Sequence, residues 1–475
     1  MNRLFPLKPS TENMDEFEEE ADFLPPGRED ERVTLIDKTE EKDQGSYKST
    51  EPYPKPWFSF PDISPDSDLY DNEENRTNYI QTFFNIVNAN LGTGILAMPF
   101  VLRLGGWWGV LTIFLVGLLG NYTAKLLIDL MYVEMANGQK QRVRFAYHEI
   151  GEEFHPVYGR SMVHWANCFD QFSHCALLLI MCGQVLYHTF PSWSVNEAEW
   201  TAICAIAIIP TVFLRNMRQL AWLSMITVLS ALVISACVVC YSLSKSGEWA
   251  HSYLPPFRIH TVPIGLGIVM VTYSSQAYLP AMEKSTQNRE EFKKLLNVTY
   301  AFVTLLKFGV GILVFLTFQD KTDQIMTLNL PQGGFRVFTC ITVAVLSLFF
   351  YTVPIYTIFD IVENQLHISW LAFNYTNEKA LVITGITLRA VLVGFTIVLG
   401  VAVPHFSLLM SFVGSLTGQI LVIIYPCLFH IKINYGSLPW YNVAFNCAVI
   451  VFALIGGILG IIYSTLALYT VYNET

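Results

Sequence analysis

The sequence has little charge for its length. Of its 475 residues, 14% are charged and 52% are hydrophobic, whereas soluble globular domains carry about 25% charged residues. It also lacks a Gly-Lys dipeptide, which excludes the lysine of a phosphate-binding P-loop, and it lacks a His-Glu-x-x-His zinc motif. No repeated filter sequence of the kind that channels use is visible. We therefore predict a membrane protein that is neither an enzyme nor a channel.

The negative charge is confined to the first 77 residues. This segment holds 21 Asp or Glu and 9 Lys or Arg, a net charge of −12, so the remaining chain carries +2 of the total of −10. It is rich in Pro, Glu and Asp and has no apolar periodicity, which predicts a disordered acidic tail over 1–77. The acidity argues against nucleic-acid binding. No apolar run follows the first residues, so we expect no cleaved signal peptide.

Apolar runs long enough to cross a hydrocarbon core of about 30 Å recur from residue 78 onward. They predict an all-α polytopic membrane protein with a transmembrane domain over 78–470. The eleven predicted spans are 79–102, 107–132, 162–190, 199–214, 219–244, 262–282, 295–318, 335–363, 383–403, 405–430 and 440–470.

The nine cysteines lie almost entirely inside these spans. Cys168, Cys175 and Cys182 repeat every seven residues along one of them. Without His or acidic partners at ligand spacing, such thiols are usually small core residues. We therefore expect no metal site.

The basic residues predict which side of the membrane each loop faces. They are concentrated in loops that share a side with the N-terminus, which predicts a cytosolic tail. Eleven spans then place residues 471–475 in the lumen, where Asn473-Glu474-Thr475 forms a glycosylation sequon. The bases of the predicted cytosolic loops are Lys140, Arg142, Arg144, Arg160, Arg215, Arg218, Lys284, Arg289, Lys293, Lys294, Lys379 and Lys432.

Two spans are interrupted in the same way, about 180 residues apart. The first contains Asn90-Leu91-Gly92-Thr93-Gly94 and then Pro99, and the second contains Tyr273-Ser274-Ser275-Gln276 and then Pro280. In a helix interior, Gly is less favourable than Ala by about 1 kcal/mol and Pro by about 3 kcal/mol. In lipid, the backbone groups that such a break exposes have no water to bond. Paired breaks of this kind indicate a transporter binding site.

The positions of the breaks also predict the architecture. Breaks in the first and sixth spans favour two inverted repeats of five helices, over about 79–244 and 262–430, with an extra helix at 440–470. The alternative is that Gly and Pro only ease helix packing or kinking, since both are frequent in transmembrane helices. The occurrence of two corresponding breaks favours the binding site.

The two breaks predict a site for a zwitterion such as an amino acid. Exposed amides at the first break form a cradle for a carboxylate, assisted by the helix dipole. Across the cavity, the second break offers carbonyls and hydroxyls to an ammonium group. The predicted substrate-binding residues are Asn88, Gly92, Thr93, Gly94, Tyr273, Ser274, Ser275 and Gln276.

Ionisable side chains inside the spans are rare, so each is a candidate for function. Asp170 and His174 lie at i and i+4 on one helix face, and a carboxylate beside a histidine exchanges protons near neutral pH; a structural pair at a helix interface is the alternative. Lys307 lies mid-span, where a cation must be paired, neutral or facing water. We predict proton coupling through these three residues, with no cofactor, driven by a proton gradient, with chloride and sodium left open.

Charged residues near the span ends predict gates. Glu283 lies near a cytosolic helix end together with basic residues that include Arg215, and His405 follows Pro404 at the opposite mouth. The alternative is that these residues are ordinary solvated helix ends.

The acidic tail contains a candidate sorting signal. Glu31 lies four residues before Leu35 and Ile36, which is the acidic dileucine spacing. We predict that a clathrin adaptor reads this segment as an address.

The chain resembles the amino acid/auxin permease family in the residues of both breaks. These are Gly92-Thr93-Gly94-Ile95-Leu96 with Pro99, and Tyr273-Ser274-Ser275-Gln276 with Leu279-Pro280 and Glu283. Within the family it looks most like the vesicular inhibitory amino acid transporter branch. The matching stretches are 142–144, 213–216, 279–283, 403–406, 408–410 and 414–418.

The resemblance implies an eleven-helix, leucine-transporter-like fold and proton-coupled loading of GABA or glycine into synaptic vesicles. It also implies an acid at the position of Asp170. In this branch the first break is expected to continue with bulkier apolar residues, where this chain has Thr93 and Gly94. That departure favours the proton- or sodium-coupled neutral amino acid symporters of plasma membrane and lysosome, and an amino-acid-sensing transceptor is a further alternative.

Overall fold

The computed structural model describes residues 77–135, 138–213, 217–249, 260–365, 378–403 and 405–474. Residues 1–76 of the acidic tail lie outside this part of the chain, and so does Arg215. The sorting hypothesis for Glu31, Leu35 and Ile36 therefore stays a prediction.

The described residues form a helical bundle with one small β-hairpin. The helices of the first half are α1 (Tyr79–Leu91), α2 (Met98–Gly105), α3 (Trp107–Asp129), α4 (Tyr147–Phe154), α5 (Gly159–Thr189), α6 (Glu197–Ile208) and α7 (Met217–Ser244). Those of the second half are α8 (Val262–Val271), α9 (Leu279–Ser285), α10 (Phe292–Phe318), α11 (Gly334–Phe350), α12 (Thr352–Gln365), α13 (Glu378–Ala402), α14 (Phe406–Val413), α15 (Tyr425–Ile433) and α16 (Trp440–Glu474).

The hairpin joins α3 to α4 and was absent from the predicted all-helical pattern. Strand β1 (Tyr132–Glu134) pairs antiparallel with β2 (Lys140–Arg142), with Tyr132 opposite Arg142. Three-residue strands leave too short an alternation for a sequence pattern to reveal. The hairpin matters because it carries side chains that contact α9.

The helices confirm the all-α membrane class. Within the described ranges, eight helical segments are long and apolar enough to cross a membrane, and the pair α1–α2, bent by 42°, makes a ninth. Helices also occupy the two other predicted spans, but α6 has 12 residues and α8 has 10. The count of eleven spans therefore stays a prediction.

The first predicted break is a true interruption of the helix. Asn78 and Gln81 form a capping box at the start of α1, and the helix ends at Gly92, whose φ of +41° favours glycine. A 3₁₀ helix, Gly94–Ala97, leads into α2. Pro99 lies in the first turn of α2, where its missing N–H costs no hydrogen bond.

The second predicted break touches the first. Helix α8 ends at Val271, and α9 begins with Leu279 and Pro280. A Cβ atom at Gly94 would lie 2.6 Å from Thr272 Cβ, which is closer than packed atoms approach. Glycine at this position therefore allows the two interruptions to pack directly against each other.

Helix α8 also packs closely on a π-helix, Gly414–Ile424, which continues α14 into α15. A Cβ at Gly267 would overlap the carbonyl oxygen of Ser411 and lie 2.8 Å from its Oγ, and a Cβ at Gly414 would overlap the Gly267 carbonyl. Small residues allow such backbone approach between membrane helices.

We expect Gly267→Ala to lower the melting temperature of the detergent-solubilised protein by several degrees, because overpacking costs about 1–3 kcal/mol. Gly394→Ala in α13 is the matched control, since no heavy atom beyond the local backbone lies within 4 Å of its Cβ position. The control should match or exceed the stability of the wild type. Equal melting temperatures for the two variants would contradict the close contact.

Candidate functional site

A cavity opens where the two breaks meet. Its walls include the backbone of the first break, residues of the second break and side chains from α5, α11 and α14. The glycines and polar residues of the lining are Gly92, Thr93, Gly94, Gln171, His174, Thr272, Ser274 and Tyr278. The structure therefore brings the first predicted break and part of the second to one cavity.

The first break contributes Gly92, Thr93 and Gly94 to the lining of this cavity. The 3₁₀ helix begins at Gly94, so its first N–H groups have no carbonyl partner within the helix. The N-terminal end of a helix favours a negative group by its hydrogen-bond donors and by its dipole. The arrangement suits a carboxylate.

Three predicted residues of the second break form buried contacts with neighbouring helices, and their role in substrate binding stays a prediction. Tyr273 Oη lies 2.9 Å from Thr304 Oγ1, and Ser275 Oγ lies 2.9 Å from Tyr300 Oη. Gln276 Nε2 donates to the Gly120 carbonyl at 3.4 Å. These buried contacts anchor the break to α10 and α3. Among the predicted residues of this break, Ser274 reaches the described cavity wall and the other three do not.

Asn88 also acts as an anchor. Its Oδ1 accepts a hydrogen bond of 3.0 Å from Thr227 in α7, and the side chain is buried. It is not among the described cavity-lining residues. This contact joins α1 to α7, which matches the inter-helix hydrogen bonding expected of amides in membrane helices.

The structure adds lining residues that the sequence analysis missed. Tyr278 Oη donates to Gln171 Oε1 at 2.6 Å, which links the second break to α5 across the cavity. Both are polar residues in apolar spans and lie close in sequence to predicted site residues. That position is the sequence feature that could have identified them as lining residues. Arg389, in the ninth predicted span, is another buried residue not predicted above, and its guanidinium lies 4.9 Å from the Phe359 ring centroid.

Asp170 and His174 form the predicted pair. His174 Nδ1 lies 2.9 Å from the Asp170 carbonyl oxygen and 3.4 Å from Oδ2, while Asp170 Oδ1 accepts a 2.6 Å hydrogen bond from Thr417 in the π-helix. Asp170 is buried, and His174 lines the cavity. The imidazole therefore contributes to the cavity wall, whereas the carboxylate is buried and is not among the described lining residues. Their role in proton coupling stays a prediction.

Lys307 has polar partners at the second break. Its Nζ donates to the carbonyl oxygen of Thr272 at 2.8 Å and to Thr272 Oγ1 at 2.9 Å, and it lies 3.5 Å from the Tyr273 ring centroid. Within the described ranges it forms no ion pair and does not line the cavity. Its proton-coupling role stays a prediction.

Glu283 forms a buried ion pair with Arg142 of the hairpin. The Arg142 Nη1–Glu283 Oε2 distance is 2.6 Å, and their side chains are 6% and 0% exposed. Tyr132 also donates to this carboxylate, and Arg142 Nη2 donates to the Pro280 carbonyl at 3.0 Å. Burial and the Glu283 carboxylate raise the pKa of Tyr132, so its hydroxyl remains a donor. Arg142 is thus a partner of Glu283 that the sequence analysis did not name. Arg215 lies outside the described residues, and the gating role of Glu283 and Arg215 stays a prediction.

At the same end of the bundle, backbone hydrogen bonds join the residue before α1 to the end of α9. The amide of Thr77 donates to the Ser285 carbonyl at 2.7 Å, and the amide of Gln287 donates to the Thr77 carbonyl at 3.1 Å. The start of α1 is therefore fixed to the end of α9. At the other predicted mouth, His405 precedes α14, whose first residue, Phe406, lines the cavity. A gating role for His405 stays a prediction.

Residues 75–470 match the family described as transmembrane amino acid transporter protein. The chain belongs to this family. The human protein named vesicular inhibitory amino acid transporter is 30% identical over 399 residues, which cover 82% of this transporter and 76% of that protein. The vesicular GABA transporter of Caenorhabditis elegans is 28% identical over 400 residues, which cover 83% and 81% of the two chains.

A solved structure confirms the fold. The substrate-bound, outward-open structure of a sodium-coupled sialic acid symporter aligns with a TM-score of 0.52 at 11% identity, covering 87% of this transporter and 94% of that chain. The predicted leucine-transporter-like fold is therefore confirmed, and the family assigns this multi-pass membrane protein to amino acid transport.

We expect Glu283→Gln to destabilise the protein by about 3–5 kcal/mol, because it leaves Arg142 buried without a countercharge. The matched control is Glu152→Gln, which breaks the exposed Arg160–Glu152 pair, whose side chains are 45% and 46% exposed. Exposed pairs contribute about 1 kcal/mol or less. Thermal unfolding in detergent measures both variants, and a control that is as destabilised as Glu283→Gln would contradict the importance of the buried pair.

Proposed function

We propose that this transporter loads small neutral amino acids of the GABA and glycine class into vesicles in exchange for protons. Family membership and two relatives named for vesicular transport of inhibitory amino acids or GABA support the substrate class and the vesicular location. The proposal includes a cytosolic N-terminus and a lumenal C-terminus, which the distribution of basic residues supports.

One observation carries the mechanism: the backbone of the first break and the imidazole of His174 line the same cavity. In the proposed cycle the amides at Gly94 hold the substrate carboxylate, and the ammonium group faces the hydroxyl of Ser274 on the wall formed by the second break. His174 and Asp170 hold the proton beside the substrate, in a region where ionisable residues serve proton relays. Proton transfer at this pair changes the charge next to the bound zwitterion.

The cavity wall favours small substrates. The Phe350 ring would lie 3.3 Å from a Cβ at Gly92, and Phe406 and Met410 form further parts of the wall. A bulky side chain on the substrate would have to displace these residues, whereas GABA and glycine have no side-chain branch to accommodate. Adding volume to a well-packed protein interior typically costs about 1–3 kcal/mol.

Access from one end requires the hairpin and α9 to separate. The Arg142–Glu283 pair and the Thr77–Ser285 backbone contact both hold α9 at this end of the bundle. In the proposed cycle these contacts break when the cavity opens to the cytosol. The buried pair then regains hydration, which offsets part of the lost Coulomb attraction.

The decisive experiment is uptake of labelled amino acids into proteoliposomes with an acidic interior. We expect saturable uptake of GABA and glycine, at least about tenfold above that of leucine and phenylalanine, because 1.4 kcal/mol of discrimination corresponds to tenfold. A protonophore should abolish accumulation. Replacing sodium by choline, or chloride by gluconate, tests the alternative ions. Absence of saturable uptake under every gradient would refute the transport proposal, and uptake that follows sodium alone would refute proton coupling.

Asp170→Asn tests the proposed proton pair. We expect it to abolish proton-driven accumulation while substrate exchange at equal pH persists, because the amide keeps the size of the side chain but cannot ionise. Asp129→Asn is the control, since Asp129 is a half-exposed acid paired with Lys293 away from the cavity. If Asp170→Asn accumulates substrate as the control does, the carboxylate has no part in coupling.

A further inference from the structure

The carbonyl end of α8 contacts the amino group of a buried lysine. Lys307, near the middle of the 27-residue helix α10, is fully buried. Its ammonium has three partners, which are the Thr272 carbonyl oxygen, the Thr272 hydroxyl and the face of the Tyr273 ring. No acidic side chain of the described residues forms an ion pair with it.

The orientation of Thr272 suits this cation. Its hydroxyl donates to the Val269 carbonyl at 2.7 Å, so a lone pair of Oγ1 faces the ammonium group at 2.9 Å. The backbone amide of Thr272 also donates to Val269. Both oxygen atoms of Thr272 are thus available as acceptors, and the aromatic face adds a third contact that favours cations.

The C-terminal end of a helix inside a membrane protein is stabilised by a nearby positive charge. The last carbonyls of a helix have no partner within the helix and carry a partial negative charge equivalent to about −0.5. In secondary transporters with interrupted helices, the unwound carbonyls and half-helix C-terminal ends coordinate the coupling cation. Here an ammonium group occupies that kind of position.

We propose that Lys307 is a resident cation, which neutralises the carbonyl end of α8 where a small metal cation would otherwise be required. This inference rests on the proposed transport function and deepens it, because it makes the second break independent of sodium. Lys307 acts as a positioning residue. It contacts Thr272, and the side chain of Thr272 packs against Gly94 of the carboxylate cradle.

The test is thermal unfolding of the full-length protein in detergent. Lys307→Ala removes the ammonium and leaves room for a small amine. We expect its melting temperature to fall by several degrees, since an unsatisfied buried acceptor is destabilising, and to recover in a concentration-dependent manner with propylammonium. High sodium should recover part of the loss and choline none.

Lys293→Ala is the matched control, because Lys293 is a half-exposed lysine at the start of the same helix, paired with Asp129. The control and the wild type should show no specific response to propylammonium. A Lys307→Ala variant as stable as the wild type, or one that propylammonium stabilises no more than the control, would overturn the proposal.

Transport in the wild type provides a second measurement, which also applies if Lys307→Ala does not fold. We expect amino acid flux to change by less than about twofold when choline replaces sodium, a difference well below the tenfold that 1.4 kcal/mol represents. A flux that falls more than tenfold overturns the resident cation and leaves amino acid transport intact. A protein without any flux refutes the proposed function, while the amine response of Lys307→Ala still decides the inference.

Discussion

The direct contact between Gly94 and Thr272 is the constraint on which the site depends. It brings two interrupted helices together inside an apolar bundle, where backbone groups have no water to bond. The first interruption lines the cavity, and the carbonyl that follows the end of α8 in the second accepts a hydrogen bond from Lys307. A side chain at Gly94 would push Thr272 away and so separate the two breaks that line the cavity.

The proton pair depends on this arrangement through helix α5. His174 lines the cavity, and the Asp170 carboxylate accepts a hydrogen bond from Thr417 of the π-helix. That π-helix packs on α8 through Gly414 and Gly267. The Asp170 carboxylate and helix α8 therefore both pack against the π-helix, so a shift of α8 changes the surroundings of both.

The sequence predicted the features that depend on residues within one helix. The Gly and Pro residues of the breaks, the i, i+4 spacing of Asp170 and His174, and the hydropathy of the spans each act within one helix, and all were visible in the sequence. The partners of Glu283 and Tyr273 were not, because Arg142 and Thr304 reach them through the tertiary fold. For the same reason the sequence did not separate the residues that line the cavity from those that anchor its walls.

The charged contacts differ in how readily a transport cycle can break them. The Arg142–Glu283 pair lies at the end of the bundle, on a hairpin and a seven-residue half-helix, so water can replace it when the end opens. Lys307 is enclosed at the centre, where losing Thr272 would leave both the ammonium and the carbonyl without water. A cycle that opens this end of the bundle therefore separates α9 from the hairpin, while the contact between Lys307 and Thr272 at the end of α8 is kept. If Lys307 is the resident cation proposed above, its charge stays in place, and the proton proposed for His174 and Asp170 is the charge that changes during transport.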